Sequence, residues 1–178
     1  MLKIPDMVRP AEPEDLPDVI ILMRALAELE DYIADFRVDE QTLLDRAFGP
    51  EAQCHIFVAE WAGHIAGYGV VLKMPFTFDL QPTMILKELY IAEACRGRGL
   101  GHALLQRVAI MALESGAGRI KWDVLVGNRD AEAFYQRLGG RPDSKWVPYQ
   151  MGSQAIEQLA INVEHENAVS SKMKNSPK

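Results

Sequence analysis

The stretch from Met84 to Leu113 constrains the fold more than any other part of the chain. Met84-Ile85-Leu86-Lys87-Glu88-Leu89-Tyr90-Ile91 reads as a strand, and His102-Ala103-Leu104-Leu105-Gln106-Arg107-Val108-Ala109-Ile110-Met111-Ala112-Leu113 reads as a helix. Between them lies Arg96-Gly97-Arg98-Gly99-Leu100-Gly101. A strand, a glycine-rich turn with arginines and a helix start together suit an anion. Glycine permits positive φ and lets backbone N–H groups approach a ligand closely. The first amides of a helix have no internal acceptor and carry partial positive charge.

The spacing of the glycines decides among phosphate loops. A P-loop ends in Gly-Lys-Ser/Thr, but Gly101 is followed by His102-Ala103. A dinucleotide fingerprint needs Gly-x-Gly-x-x-Gly. Counted from Gly97 its third glycine falls on His102, and counted from Gly99 it falls on Leu104. What remains is Arg-x-x-Gly-x-Gly, filled by Arg96, Gly99 and Gly101. This pattern resembles the pyrophosphate loop of the GNAT superfamily of N-acetyltransferases. A surface turn with incidental arginines is the plainer alternative.

A second motif supports the resemblance. Residues 128–140 read Asn-Arg-Asp-Ala-Glu-Ala-Phe-Tyr-Gln-Arg-Leu-Gly-Gly. Asn128 is a good N-cap, and Gly139 stands where a helix-ending glycine belongs. Ala131, Phe134, Tyr135 and Leu138 share one helical face. The block resembles the Asn-x-x-Ala-x-x-Phe-Tyr-x-x-x-Gly motif of the same superfamily. The likeness extends from about Val8 to Met151.

The remaining elements follow from periodicity. Met7 to Ala11 reads as a short first strand, and Pro13 opens a helix whose apolar face is Leu16, Val19, Ile20, Met23, Leu26 and Ala27. A short helix is expected over Asp39–Ala47. Residues 55–61 and 64–72 form a hairpin turned at Ala62-Gly63. Ile120–Val126 reads as a strand, and Ser144–Met151 as a last strand made irregular by Pro148. The expected fold is α/β, with a central mixed sheet and helices on both faces, the GNAT acyl-CoA N-acyltransferase architecture. Residues 1–153 are read as the catalytic domain. Residues 154–178 are read as a C-terminal extension with a short helix over Gln154–Asn162 and a disordered end from Val169.

The resemblance implies specific chemistry. Acetyl-CoA would be the cosubstrate, with no metal. Gly97, Gly99, Leu100, Gly101 and His102 would hold its pyrophosphate through backbone amides, with charge from Arg96 and Arg98. Arg98 is equally readable as a solvated cation. Leu89, Tyr90 and Ile91 would offer backbone groups to the pantetheine, beside the bulge usual in this family. Asn128 and Ala131 would complete the cofactor side. Tyr135 would be the general acid that protonates the leaving thiolate; the alternative is a tyrosine packed beside Phe134. An aliphatic ammonium has a pKa near 10 and must lose a proton before attack. Glu88 is the candidate base, or else a surface carboxylate on an alternating strand.

A closer likeness is to the spermidine/spermine (diamine) and thialysine acetyltransferases. It rests on Val8-Arg9-Pro10-Ala11, Leu26-Ala27-Glu28-Leu29-Glu30 and Phe76-Thr77-Phe78-Asp79. It places Glu30, Asp79 and Glu88 at the amine site, although Lys87 stands where that family often has an acid. The implied reaction is transfer of an acetyl group to a primary amine of a small molecule, with a polyamine or diamine as the candidate acceptor. An amino acid, antibiotic or protein amine as acceptor, or a non-catalytic acyl-CoA-binding module, are the alternatives. The net charge of −6 argues against a nucleic-acid partner. Cys54 and Cys95 form no metal or CxxC pattern, and no signal or membrane-length apolar run is present. A cytoplasmic homodimer is the expectation.

Overall fold

The computed structural model describes residues 7–161. The chain divides into two compact units after Asn128. The first contains a five-stranded sheet in the order β1-β2-β3-β4-β5: β1 Val8–Pro10, β2 His55–Trp61, β3 His64–Met74, β4 Thr83–Ile91 and β5 Arg119–Lys121. The first four strands run antiparallel to their neighbours, and β5 lies parallel to β4. The mixed sheet expected from the sequence is therefore present.

Helices α1 (Leu16–Leu29), α2 (Glu40–Ala47) and α3 (Leu100–Glu114) belong to this unit. Leu16, Val19, Leu22, Met23 and Leu26 of α1 form one core with Leu43 of α2, Ile56 and Val58 of β2, and Tyr68 and Val70 of β3. Strand side chains alternate between faces, so Phe57 and Ala59 point the other way. There the Arg107 guanidinium of α3 lies 4.8 Å from the Phe57 ring centre. Helices thus cover both faces, and Leu100, Leu104 and Val108 of α3 are almost fully buried. Each such side chain contributes about 1.5–3 kcal/mol of transfer free energy.

Local chemistry sets the boundaries. Pro13 opens a short 3-10 turn over Pro13–Asp15 that leads into α1. The Glu12 N–H donates to Asp15 Oδ2 at 2.8 Å. Asp15 in turn accepts from Arg9 at 2.6 and 2.9 Å, which ties β1 to the helix entry. Asp39 caps α2 by accepting from the Thr42 N–H at 2.7 Å. The β2–β3 hairpin turns at Ala62 (φ 51°) and Gly63 (φ 78°), the left-handed pair that a two-residue hairpin needs.

Two expected strands differ. The strand expected over Ile120–Val126 is confined to Arg119–Lys121. β5 follows β4 only through Thr83–Ile85, and a bulge then bends β4: Val70 faces Glu88, while Val71 faces Leu86, leaving Lys87 as the extra residue. Residues 144–151 form no strand. Pro148 cannot donate to a ladder, and Trp146, Val147 and Tyr149 are exposed rather than alternating in and out.

The second unit contains α4 (Arg129–Arg137) and a helix over residues 153–161. α4 ends as the sequence suggests. Gly139 has φ 90°, its N–H donates to Gln136 O at 3.1 Å, and the Gly140 N–H donates to Tyr135 O at 2.9 Å. The expected helix in the extension is present up to residue 161. Asn162 and the expected disordered end from Val169 lie outside the described residues.

Candidate active site

The glycine-rich loop takes the conformation its composition requires. Gly97 has φ 74°, and Gly99, the residue before α3, has φ 82°. A side chain at either position would be strained by the backbone, although no atom would obstruct its Cβ. No side chain caps α3, and the first helical bond runs from the Ala103 N–H to Gly99 O at 2.9 Å. The amides of Leu100, Gly101 and His102 therefore have no intrahelical acceptor. Open space over a left-handed glycine turn, ahead of an uncapped helix, fits a pyrophosphate.

The two arginines of this turn contact different strands. Arg96 Nε donates to Ile91 O at 3.2 Å, and its guanidinium lies 5.7 Å from the Tyr90 ring centre. Arg98 stacks at 4.9 Å over Trp61 at the end of β2. Each cation is thus held by an aromatic ring at the rim of the loop.

The backbone from Leu86 to Ile91 continues past the last β4–β5 pair. Its edge toward β5 has no strand partner among the described residues. Leu89, Tyr90 and Ile91, expected to offer backbone groups, lie on this length, with their other edge paired to β3. The bulge at Lys87, which no sequence pattern reveals, follows two residues beyond the last β4–β5 pair.

The bulge also sets the neighbours of Glu88. Tyr68 faces Tyr90 across β3–β4, so Glu88 is its diagonal neighbour on the α1 side of the sheet. The Tyr68 hydroxyl donates to Glu88 Oε2 at 2.8 Å. Burial raises the Glu88 pKa above the ordinary carboxylate range, with Glu30 adding to the rise; the Tyr68 bond and the Lys87 charge oppose it. Tyr32 is pushed up to about 12, by burial first and then by the charges of Glu88 and Glu30. The Cys54 thiol is raised by burial and by Glu88. Glu88 and Glu30 thus act on one set of neighbours. Lys87, by contrast, is exposed.

Asp79 does not join this group. It pairs with Arg119 and accepts from the Thr77 hydroxyl at 2.7 Å, which holds its carboxyl below the usual range. Arg119 is paired with Thr83, at the start of β4, whereas Glu88 stands five residues further along, roughly 17 Å at strand spacing. Tyr32 and Tyr68 were not distinguishable in sequence from ordinary core tyrosines. The place of Tyr68 beside Glu88 comes from strand register, whereas Tyr32 lies in the segment that follows α1.

In the second unit, Ala131, Phe134 and Tyr135 are partly buried on one face of α4. The Phe134 and Tyr135 rings meet edge to face at 5.0 Å. Asn128 directly precedes this helix, and its N–H donates to Leu125 O at 3.0 Å. Among the described residues, no group of His, Cys, Asp and Glu could hold a metal ion, and no helix is long and apolar enough to cross a membrane.

Comparison with known proteins agrees with this geometry. The sequence profile of the acetyltransferase (GNAT) family matches residues 25–140, and the chain belongs to that family of enzymes. The mouse thialysine N-epsilon-acetyltransferase is 26% identical over 164 residues, 86% of this chain and 96% of the relative. The L-ornithine N5-acetyltransferase of Arabidopsis thaliana is 25% identical over 95 residues, 53% of this chain and 42% of the relative. An integron cassette protein of V. cholerae shares the fold, with a TM-score of 0.71 at 20% identity, covering 86% of this chain and 96% of that one.

Proposed function

We propose that the protein transfers the acetyl group of acetyl-CoA to a primary amine of a small molecule that carries a second cationic group. Diamines, polyamines and diamino acids are the class meant. The reaction is direct attack of the amine on the thioester. Acetyl-CoA supplies the activated acyl group, and the chain binds, orients and moves protons.

The observation that carries the reading is the pairing of an open glycine turn with a half-buried carboxylate on the adjoining strand. Leu100, Gly101 and His102 offer amides to the pyrophosphate, and Gly97 and Gly99 allow its approach. Arg96 and Arg98 add positive charge at the rim. The β5-side edge of Leu89, Tyr90 and Ile91, which has no strand partner among the described residues, suits the pantetheine amides. Glu88 takes the proton from the attacking ammonium, directly or through water. A carboxylate whose pKa is raised is a better base near neutral pH than an ordinary one. Tyr135 donates its phenolic proton to the leaving thiolate, and Asn128 and Ala131 serve the cofactor, as the family motif implies. Glu30, with Glu88, attracts the cationic acceptor.

The acceptor class is supported by the relatives, which are named for acetylation of thialysine and of ornithine. Each of those acceptors carries a terminal amine and a second amino group. The family resemblance adds a cytoplasmic homodimer to the reading. The test is single-turnover transfer from acetyl-CoA to a panel containing spermidine, putrescine, ornithine, thialysine and an uncharged-tail monoamine. Transfer to dications in preference to the monoamine is the expected result. Tight acetyl-CoA binding without transfer to any amine would leave an acyl-CoA-binding module.

A further inference from the structure

Trp61 ends β2 and is 38% exposed, outside the buried core. It pairs with His64 across the two-residue turn at Ala62-Gly63, so the hairpin fixes its backbone. β2 and β4 each run antiparallel to β3, and both therefore finish at the same end of the sheet. The glycine loop follows β4. A tryptophan remote in sequence is brought to that loop by topology alone.

Arg98 stands between Gly97 and Gly99, both left-handed, and its side chain is exposed. Its guanidinium lies 4.9 Å from the Trp61 ring centre. Among the described residues no carboxylate pairs with it and no hydrogen bond uses its donors. Glu60, the carboxylate next to Trp61 in the chain, is taken by Arg9 at 2.7 Å. Arg96 differs, since its Nε already donates to Ile91 O. A ring face attracts a guanidinium without consuming its N–H groups. Arg98 is thus an oriented cation with free donors, one residue before the amides that suit a phosphate. An exposed arginine without this contact would sample many rotamers, and a ligand would have to order it on binding.

We propose that Trp61 is a positioning residue for the cosubstrate, holding Arg98 in place to receive a phosphate group of CoA. The inference rests on the assignment of the glycine loop to acetyl-CoA. Trp61 touches no reacting atom and acts through the arginine. CoA offers two kinds of phosphate, the diphosphate and the ribose 3′-phosphate. The charge-assisted pairing of guanidinium with phosphate is the same chemistry for both.

Calorimetric titration of the full chain with CoA and with 3′-dephospho-CoA provides the test. Trp61→Leu removes the ring face and should weaken CoA binding about two- to fivefold, the range that an exposed cation–π contact carries. Trp61→Phe keeps a ring face and should recover most of that loss. Arg98→Gln should itself weaken binding. Adding Trp61→Leu to it should cost nothing further, because the ring acts through the arginine. A loss seen with CoA alone assigns the ribose phosphate, and a loss seen with both ligands assigns the diphosphate; either supports the inference. Unchanged CoA affinity in Trp61→Leu or in Arg98→Gln would overturn it. So would a Trp61→Phe variant as weak as Trp61→Leu, or additive losses in the double variant. Each of these results leaves the loop assignment standing, whereas a parent chain that binds no CoA would overturn both.

Discussion

The Tyr68 hydroxyl donates to Glu88 Oε2 at 2.8 Å, across two strands whose register is shifted by one residue at Lys87. Without that bulge the alternation of β4 would place the carboxylate on the other face of the sheet. The bond stabilises the charged form of Glu88, against the burial that disfavours it. The hydroxyl therefore tunes the carboxylate that we assign as the base.

This balance has a measurable sign. If ionised Glu88 accepts the ammonium proton, kcat/KM should rise with pH through an acid limb lying above the ordinary carboxylate range. Tyr68→Phe removes the contact that lowers the Glu88 pKa, so the limb should move to higher pH. Glu88→Gln should abolish it and slow turnover by about 10²–10⁴. For stability, a raised folded pKa means that the Glu88 contribution is full at low pH and lost as pH rises through the folded value. The melting temperature of Glu88→Gln should accordingly gain on the parent between pH 4 and pH 8. A pH–rate profile unmoved by Tyr68→Phe would remove the tyrosine from this role.

The loop makes a separate prediction. Gly99 has φ 82°, a conformation that a β-branched side chain resists. Gly99→Val should distort the turn and weaken acetyl-CoA binding at least tenfold, with most of the fold retained. Calorimetry on the folded variant measures it. Unchanged affinity would show that the turn does not hold the pyrophosphate.

Much of this site was legible because its chemistry is local. The glycines at positions 97 and 99 announce positive φ, and Gly139 announces a helix end. Both readings depend only on the backbone of a few consecutive residues. The Tyr68–Glu88 bond was not legible, since it depends on a register between strands twenty residues apart. The same holds for Trp61 beneath Arg98, brought there by the hairpin. The strand expected over residues 144–151 failed for a related reason. Alternating apolar residues make a strand only if a neighbouring edge accepts them, and Pro148 removes one of the donors needed.

Tyr135 offers a test with little structural cost. Tyr135→Phe deletes one hydroxyl and keeps the ring that meets Phe134 at 5.0 Å. As the proposed proton donor, its loss should lower kcat by about 10²–10⁴ while acetyl-CoA affinity stays nearly constant. Pre-steady-state measurement isolates the chemical step. Wild-type turnover in that assay would return Tyr135 to a packing role.

The Arg9–Asp15 pair should govern acid stability. Asp15 is buried and accepts two bonds from Arg9, whose hydrogen bonds hold its pKa below the usual range despite burial. A depressed folded pKa gives stability that is present above the unfolded value and lost as pH falls through the folded one. Asp15→Asn should therefore cost about 1–3 kcal/mol at pH 7 and progressively less toward pH 2. Thermal melts of both proteins across that range read the convergence. A difference independent of pH would mean that packing, not charge, holds the entry to α1.

The acceptor prediction separates two carboxylates that the sequence grouped together. Glu30 acts electrostatically on the same neighbours as Glu88, whereas Asp79 is paired with Arg119 near the other end of β4. Each carboxylate open to water stabilises an ammonium by only about 0.2–1 kcal/mol, a change of about 1.4- to 5-fold in KM. Glu30→Gln should raise KM for spermidine by that amount and leave KM for an uncharged-tail monoamine unchanged. Asp79→Asn should leave both nearly unchanged, because its charge is already answered within the chain. Added salt should raise KM for spermidine in the parent protein, and less so in Glu30→Gln, since screening acts on the charge that the substitution removes. Equal kcat/KM for spermidine and the monoamine at low salt would refute the dication reading. A rise in spermidine KM for Asp79→Asn as large as that for Glu30→Gln would place the acceptor along a different part of β4.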